Sequence, residues 1–319
     1  MWQGLARLGA TGVLVPAEHD GLGMTMVEAG VVAEELGAAL YPGPWLSSAV
    51  ASARALTRTG ADNGLLAEIA CGTTIATVAP FTGAQPVADG TTLRGQLTAV
   101  PDAAAANVLL VLVDESAGAG LYAVDPTSDG VTVTARSHVD PTQKLFDVGL
   151  DSVTGRRLAD ASADAIEGLV DDVTIARAAD ALGAATAVMN MAIEYAKVRK
   201  QFDQPIGSFQ AVQHLCVDMY EAVELARSGV VHALWAADAA EPAERHRAAL
   251  RTKAFAGRLT AVGDTAIQVF GGIGFTWEHD AHLYLKRLLG WSAYLGAPDR
   301  YLEKVGAQLV SDLNRKALQ

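Results

Sequence analysis

The feature that most constrains this chain is where helix-forming sequence stops and resumes. From Ile166 to Gln319 it reads as helix nearly throughout, in amphipathic segments of about 166–200, 208–240, 243–270, 279–294 and 298–315. The interruptions DQPIG, AAEPAE, FGGIGF and GAPD each carry glycine or proline, the residues that end helices. Long helices with short connections specify an up-and-down bundle. Between Gly72 and Asp164 the texture inverts. Short β-branched runs (TTIATVAPF, NVLLVLVD, GLYAVD, GVTVTA) alternate with Asp-Gly, Gly-Ala and Asp-Pro turns, the pattern of an antiparallel sheet or small barrel. No helices alternate with these strands, so a βαβ nucleotide fold is not supported. From Trp2 to about Cys71 the sequence is helical again. There Val27, Val31, Val32, Leu36 and Leu40 are expected on one face, with Glu28, Glu34 and Glu35 elsewhere.

The expected fold class is therefore α+β, mostly α, in three domains. These are a shortened N-terminal helical domain (1–71), a middle antiparallel β domain (72–164) and a C-terminal four-helix bundle (165–319). With 319 residues, half of them hydrophobic, the chain can fill a core and a subunit interface. Its net charge of −12 argues against nucleic-acid binding or a polybasic membrane patch, which need clustered Lys and Arg. The opening residues lack a secretory pattern, and no apolar run reaches the ~18 residues of a membrane span. Two cysteines, Cys71 and Cys216, have neither disulfide nor zinc spacing. The expectation is a soluble, cytoplasmic protein.

Two segments could carry chemistry. In AKVRKQFDQPIGSFQAVQH, Arg199 and Lys200 are expected in the last turn of a helix, where the macrodipole favours cations. This is either a plain C-terminal charge pair and turn or an anion contact, with Arg199 on a phosphate and Gln210 or Gln213 on a polar ligand. In QVFGGIGFTWEHDAHLYLKR, Gly271, Gly272 and Gly274 make a loop that a phosphate or backbone could approach closely. It lacks the preceding strand of a dinucleotide fingerprint. His279 and His282, with Glu278 and Asp280, hint at a metal, but without further ligands they read as surface or capping groups, and no metal is expected. No nucleophile elbow, phosphate-binding P-loop or zinc-protease motif is present.

Taken together these segments resemble the acyl-CoA dehydrogenase family. RKQFDQPIGSFQAVQH is similar to its Arg-x-x-Phe-x-x-Pro-Ile-x-x-Phe-Gln hinge. QVFGGIGFTWEHDAHLYLKR is similar to its Gln-x-x-Gly-Gly-x-Gly loop, and VPAEHDGLGMTMVEAGVVAEELG to its Pro-Glu-x-x-Gly-Gly-Leu-Gly segment. The GFTWEHD variant resembles actinobacterial members used in steroid catabolism. The resemblance implies FAD as cofactor, an acyl-CoA thioester as substrate and electron-transfer flavoprotein as acceptor. It also implies that a carboxylate removes an α-proton as the β-hydride leaves for the flavin, giving a 2-enoyl-CoA. By position it implies that Arg199, Phe202, Gln268, Gly271 and Gly272 meet FAD held mainly by a neighbouring subunit.

Other positions depart from the family. Its helical N-terminal zone is short, as if the first helices were missing. LRGQLTAVPDA puts Ala99 and Pro101 where the family's flavin-covering Trp-x-Thr/Ser strand lies, and ATVAPFTGAQP lacks that family's glutamate. Leu295 stands beside Gly296 where the catalytic glutamate is usual. Some members carry the base on the first bundle helix, near Val173, which makes Asp172 a weak candidate base. This pattern resembles the non-catalytic partner subunit of α2β2 acyl-CoA dehydrogenases. The alternatives are a self-sufficient homo-oligomer using Asp172 and a flavin-free scaffold subunit.

Overall fold

The computed structural model describes residues 1–61, 64–116 and 118–317, with side chains of the last helix described as far as Ser311. Helices α1 (Trp2–Arg7), α2 (Met26–Ala38), α3 (Ala53–Thr59) and α4 (Leu65–Ala70) come first. Eight strands follow: β1 (Ala76–Ala79), β2 (Val87–Asp89), β3 (Thr92–Pro101), β4 (Val108–Glu115), β5 (Gly118–Val124), β6 (Val131–Arg136), β7 (Leu145–Thr154) and β8 (Arg156–Asp160). Then α5 (Ala163–Val198) leads through a hairpin of β9 (Lys200–Gln201) and β10 (Gln204–Pro205) into α6 (Gln210–Ala239). Helices α7 (Pro242–Ala256), α8 (Thr260–Phe270), α9 (Ala281–Ala293) and α10 (Pro298–Ala317) complete the described chain. The protein is thus α+β and mostly helical, with N-terminal helices, a central β-sheet domain and a C-terminal helix bundle. None of the described helices is long and apolar enough to cross a membrane.

By contact density the chain divides into two compact units. The first comprises Met1–Val32, Pro42–His138 and Gln143–Ala176. Its eight-stranded sheet runs β6-β7-β3-β2-β4-β5-β8, with β1 alongside β4. Most pairs are antiparallel, as expected, but β1 and β2 both pair parallel with β4. Strand β4 is buried continuously from Leu109 to Val113, which explains its unbroken apolar run. Leu93, Leu97, Val111, Val113, Tyr122, Val148 and Val153 fill the core of this sheet. Between Leu97 and Val100 the β3–β7 register shifts. Ala99 lies in that bulge at φ 55°, its N–H donating to Asp147 Oδ1 at 3.1 Å.

The second unit comprises Ala33–Tyr41, Val139–Thr142 and Arg177–Gln319. Here α2 departs from expectation. Its buried positions are Met26, Ala29, Gly30, Ala33 and Gly37, whereas Val27 and Val31 are exposed. Small residues win because α2 and α5 meet backbone to backbone. A Cβ on Gly37 would collide with Asp180 O, and one on Gly183 with Glu34 O. The expected helix over 243–270 is also two helices, separated by a 3-10 turn at Gly257–Leu259. There Ala256 O accepts the Trp291 indole N–H at 3.0 Å, and a Cβ on Gly257 would collide with the Pro298 ring. Packing against α9 and α10 breaks the ladder.

Candidate functional site

Both segments singled out in the sequence fall at helix junctions of the second unit. Helix α5 ends at Val198, so Arg199 caps it rather than lying inside it. Its N–H bonds Tyr195 O at 2.8 Å, and its carbonyl accepts the Ile206 N–H at 2.8 Å. The chain then doubles back, with Gln201 opposite Gln204 and Lys200 opposite Pro205. The two loop residues, Phe202 and Asp203, have φ of 51° and 63°. Such a turn normally uses Asn-Gly, since positive φ crowds any Cβ against the backbone. Phe202 is also 86% exposed, touched by the Phe209 ring edge-on at 6.0 Å. Phe202 is thus a bulky aromatic that is both strained and in water.

Arg199 and Lys200 are exposed as well, and no acidic group among the described residues pairs with the Arg199 guanidinium. Gln210 and Gln213 are exposed, with Gln213 Nε2 donating to Gly207 O at 3.0 Å, which closes the hinge.

At the second junction α8 stops at Phe270, and Gly271 adopts φ 64°, ψ −140°. That region is open only to glycine. Cβ atoms built on Gly271 or Gly272 would meet nothing within 4 Å, so the loop faces open space. Gln268 is exposed on the last turn of α8. The Phe270 ring contacts Tyr195 at 5.1 Å and His279 at 4.3 Å. Tyr195 is one turn ahead of Arg199, so the structure brings the hinge and the glycine loop together. His279 Nδ1 accepts the Ala281 N–H at 3.1 Å, the expected capping role, whereas His282 is buried rather than on the surface.

Helix α9 is fixed by Arg287, which the sequence reading did not single out. Its guanidinium forks onto Asp180 at 2.9 and 2.7 Å and donates to Thr142 Oγ1 at 2.8 Å and Tyr41 O at 3.2 Å. Asp180 and Asp140, 3.6 Å away, oppose the effect of burial and hold Arg287 charged.

The loop after α9 holds the position at which the resemblance expects a glutamate. Leu295 is there, at φ 56°. The Tyr294 ring before it lies 4.2 Å from the Arg177 guanidinium carbon. Lys253, fully buried, donates from Nζ to Trp291 O at 2.5 Å and Ser292 O at 3.1 Å. Burial, then repulsion from Arg177, lowers its pKa to about 7. This corner is basic and supplies no carboxylate at Leu295. Lys253 also escaped the sequence reading, although a lysine inside the alanine-rich run RAALRTKAFAG signals a buried partner.

Asp172 belongs to the first unit. Its carboxylate is forked by Arg58 at 2.6 and 2.8 Å, and Arg54 lies 3.4 Å away. Asp172 is fully buried while both arginines are partly so. A carboxylate with its oxygens engaged by guanidinium groups is built as a structural ion pair.

The acyl-CoA dehydrogenase C-terminal domain model matches residues 166–310, and the corresponding N-terminal domain model matches residues 1–63. Acyl-CoA dehydrogenase IpdE2 of Mycobacterium tuberculosis is 31% identical over 97% of this chain and 86% of its own length. The chain belongs to the acyl-CoA dehydrogenase family. Acyl-CoA dehydrogenase FadE34 of the same organism is 35% identical over 99% of this chain, which spans 43% of FadE34. Two solved structures of the family superpose closely. The Tcur3481–Tcur3483 steroid ACAD matches with TM-score 0.88 and 28% identity, over 98% of this chain and 89% of that one. The ChsE4–ChsE5 complex from Mycobacterium tuberculosis matches with TM-score 0.87 and 29% identity, over 97% and 87%.

Proposed function

We propose that this chain is a subunit of a flavin-dependent acyl-CoA dehydrogenase that contributes FAD contacts to a catalytic partner. One observation carries the reading. The hairpin and glycine loop present an unpaired cation, a strained exposed aromatic and an open glycine face together, while the Leu295 position has no carboxylate. Those residues fit a dinucleotide. Arg199 would donate to pyrophosphate oxygens, Phe202 would pack on the nucleotide, and Gln268 with Gly271 and Gly272 would let its backbone approach. FAD, when bound, supplies the hydride acceptor. The chain's own part is to bind, orient and neutralise charge; the α-proton is taken by a carboxylate on the partner. A local cation is needed for this, because the chain as a whole is anionic.

The relation to the Tcur3481–Tcur3483 steroid ACAD and the ChsE4–ChsE5 complex supports a steroid-derived acyl-CoA and a paired, α2β2 assembly. Electron-transfer flavoprotein is the proposed acceptor. The ion pairing of Asp172 speaks against a self-sufficient enzyme using it as base.

The test is co-expression with the neighbouring dehydrogenase subunit of the native host, with flavin absorbance measured after gel filtration. The complex should be yellow and active. Arg199→Ala should lose flavin roughly ten- to a hundredfold more readily, the worth of a charge-assisted contact. Full flavin content and turnover in the isolated chain would overturn the partner reading.

A further inference from the structure

Lys253 of α7 is fully buried, although the proposed flavin contacts make no use of it. Its Nζ reaches the last turn of α9, donating to Trp291 O at 2.5 Å and Ser292 O at 3.1 Å. It also lies 4.0 Å from the centroid of the buried Trp291 ring. From α10, the Tyr301 hydroxyl donates to Leu295 O at 3.0 Å. The end of α9 and the loop after it are thus tied down by side-chain donors from two other helices.

The tied-down loop is under load. Leu295 holds φ 56° and Gly296 φ 112°, and the left-handed region crowds the Cβ of a leucine. The Tyr294 hydroxyl is buried without a hydrogen-bond partner among the described residues, a cost that native proteins rarely accept. Both costs are relieved when the loop lifts. Lys253 adds a third, which depends on its proton. Burial opposes its charge first, and Arg177, facing it from α5, repels that charge as well. The Tyr294 phenol, pushed upward by burial, stays neutral, and the Tyr301 phenol is engaged on Leu295 O. No carboxylate among the described residues of α6, α9 or α10 offsets the charge on Lys253.

A strained loop held shut by a group that water would solvate better is poised to open. We propose that Lys253 is a proton-operated latch on the Tyr294–Gly296 loop: uptake of a proton releases the loop, so that the ammonium reaches water, and loss of the proton locks it down. With the loop closed Lys253 titrates at about 7, whereas a hydrated lysine does so at roughly 10.4. Between those values the open form holds the extra proton, so each unit of acidification favours it by up to about tenfold. Below about pH 7 both forms are protonated and the effect levels off. The latch is independent of the flavin reading, since Arg199, Phe202 and the glycine loop have no part in it. It places a pH-sensitive hinge where the family resemblance expects a catalytic glutamate.

The test is hydrogen–deuterium exchange of the full chain from about pH 6 to about pH 9, corrected for intrinsic exchange rates and read in peptides covering Trp291–Gly296. Protection of this segment should be flat below about pH 7 and rise above it by up to about tenfold per unit. The loop should also exchange well before the buried strand β4, which marks local opening. Equal protection of loop and β4 at every pH would reduce Lys253 to an effect on global unfolding and overturn the latch. Lys253→Met, which keeps a long side chain but takes no proton, should flatten the profile. Arg177→Met removes the repelling charge and should move the rise to higher pH. Tyr301→Phe breaks only the tie to Leu295 O, so it should lower protection at every pH and leave the slope unchanged. Thermal melts establish that the variants are folded, and the profile of the parent decides the matter where one is not. Protection independent of pH in the parent, or a profile in folded Lys253→Met as steep as the parent's, would overturn the latch.

Discussion

The rings of Tyr195 and Phe270 meet at 5.1 Å with 51° between their planes. Tyr195 lies one turn ahead of Arg199, and Phe270 directly precedes Gly271. One aromatic contact therefore sets the spacing between the exposed cation and the open loop. The hairpin and loop belong to different helix pairs, and this packing makes them one surface.

On the proposed function, Phe202 is held at positive φ so that its exposed ring can meet the nucleotide. Phe202→Asn should raise the stability of the chain by about 1 kcal/mol, because asparagine tolerates the left-handed region better. The same variant should lose flavin or partner. Thermal melts and flavin content measured on one preparation check the two opposed effects. A variant that is both less stable and fully flavinated would remove the functional reading of this side chain.

Gly271 and Gly272 separate strain from access. Gly271→Ala forces a Cβ into φ 64°, ψ −140° and should cost about 1–3 kcal/mol of stability. At Gly272 a Cβ meets only open space, so Gly272→Ala should melt within about 0.5 kcal/mol of the parent. If a cofactor approaches the loop, that silent substitution should still lower flavin occupancy. Unchanged occupancy would mean that the loop faces nothing.

Lys253 makes stability depend on pH in a defined direction. Its pKa is about 7 when folded, against roughly 10.4 in an unfolded chain. Between those values the unfolded state binds the extra proton, so stability rises with pH. Below about pH 7 both states are protonated and the cost of the buried charge is present in full. Lys253→Met should abolish this component. Melting temperatures of the two proteins, followed from about pH 6 to about pH 9, should diverge, the parent gaining on the variant as pH rises. Parallel profiles would show that Lys253 titrates normally.

Asp172→Asn removes the negative charge of a buried ion pair and replaces one of the two carboxylate oxygens that Arg58 grips by an amide donor. The expected loss is about 3 kcal/mol of stability. Turnover per folded complex should be retained, since removing a true general base costs about 10²–10⁴ in rate. A folded Asp172→Asn complex with a hundredfold lower rate would return the base to this chain.

Periodicity and punctuation were local, and for that reason legible. Helical and β textures occupy separate zones of the chain, as expected, and apart from the break at Gly257–Leu259 the helix ends of the C-terminal part fall within a few residues of the Gly- and Pro-rich breaks. The two junctions were visible because RKQFDQP and FGGIG interrupt strong helical patterns. What was hidden depends on partners far away in sequence. The inward face of α2 follows Gly37 and Gly183, which admit a backbone, rather than the larger valines. The Arg58–Asp172 pair closes over 114 residues, and Lys253 finds its carbonyls 38 and 39 residues on. Periodicity could not reveal these pairings. A weaker signal was available, in that Arg177, Asp180 and Lys253 each stand among alanines where a charge needs company.

The glycine contacts between α2 and α5 bear on how natural variation in this chain is to be interpreted. At Gly37 and Gly183 any side chain strikes a carbonyl of the opposing helix, so both should resist replacement through evolution although neither takes part in chemistry. At Gly272 sterics permit every small residue. Invariance at the first two positions would record the fit of two helices. Invariance at Gly272 would record a molecule that has to come close.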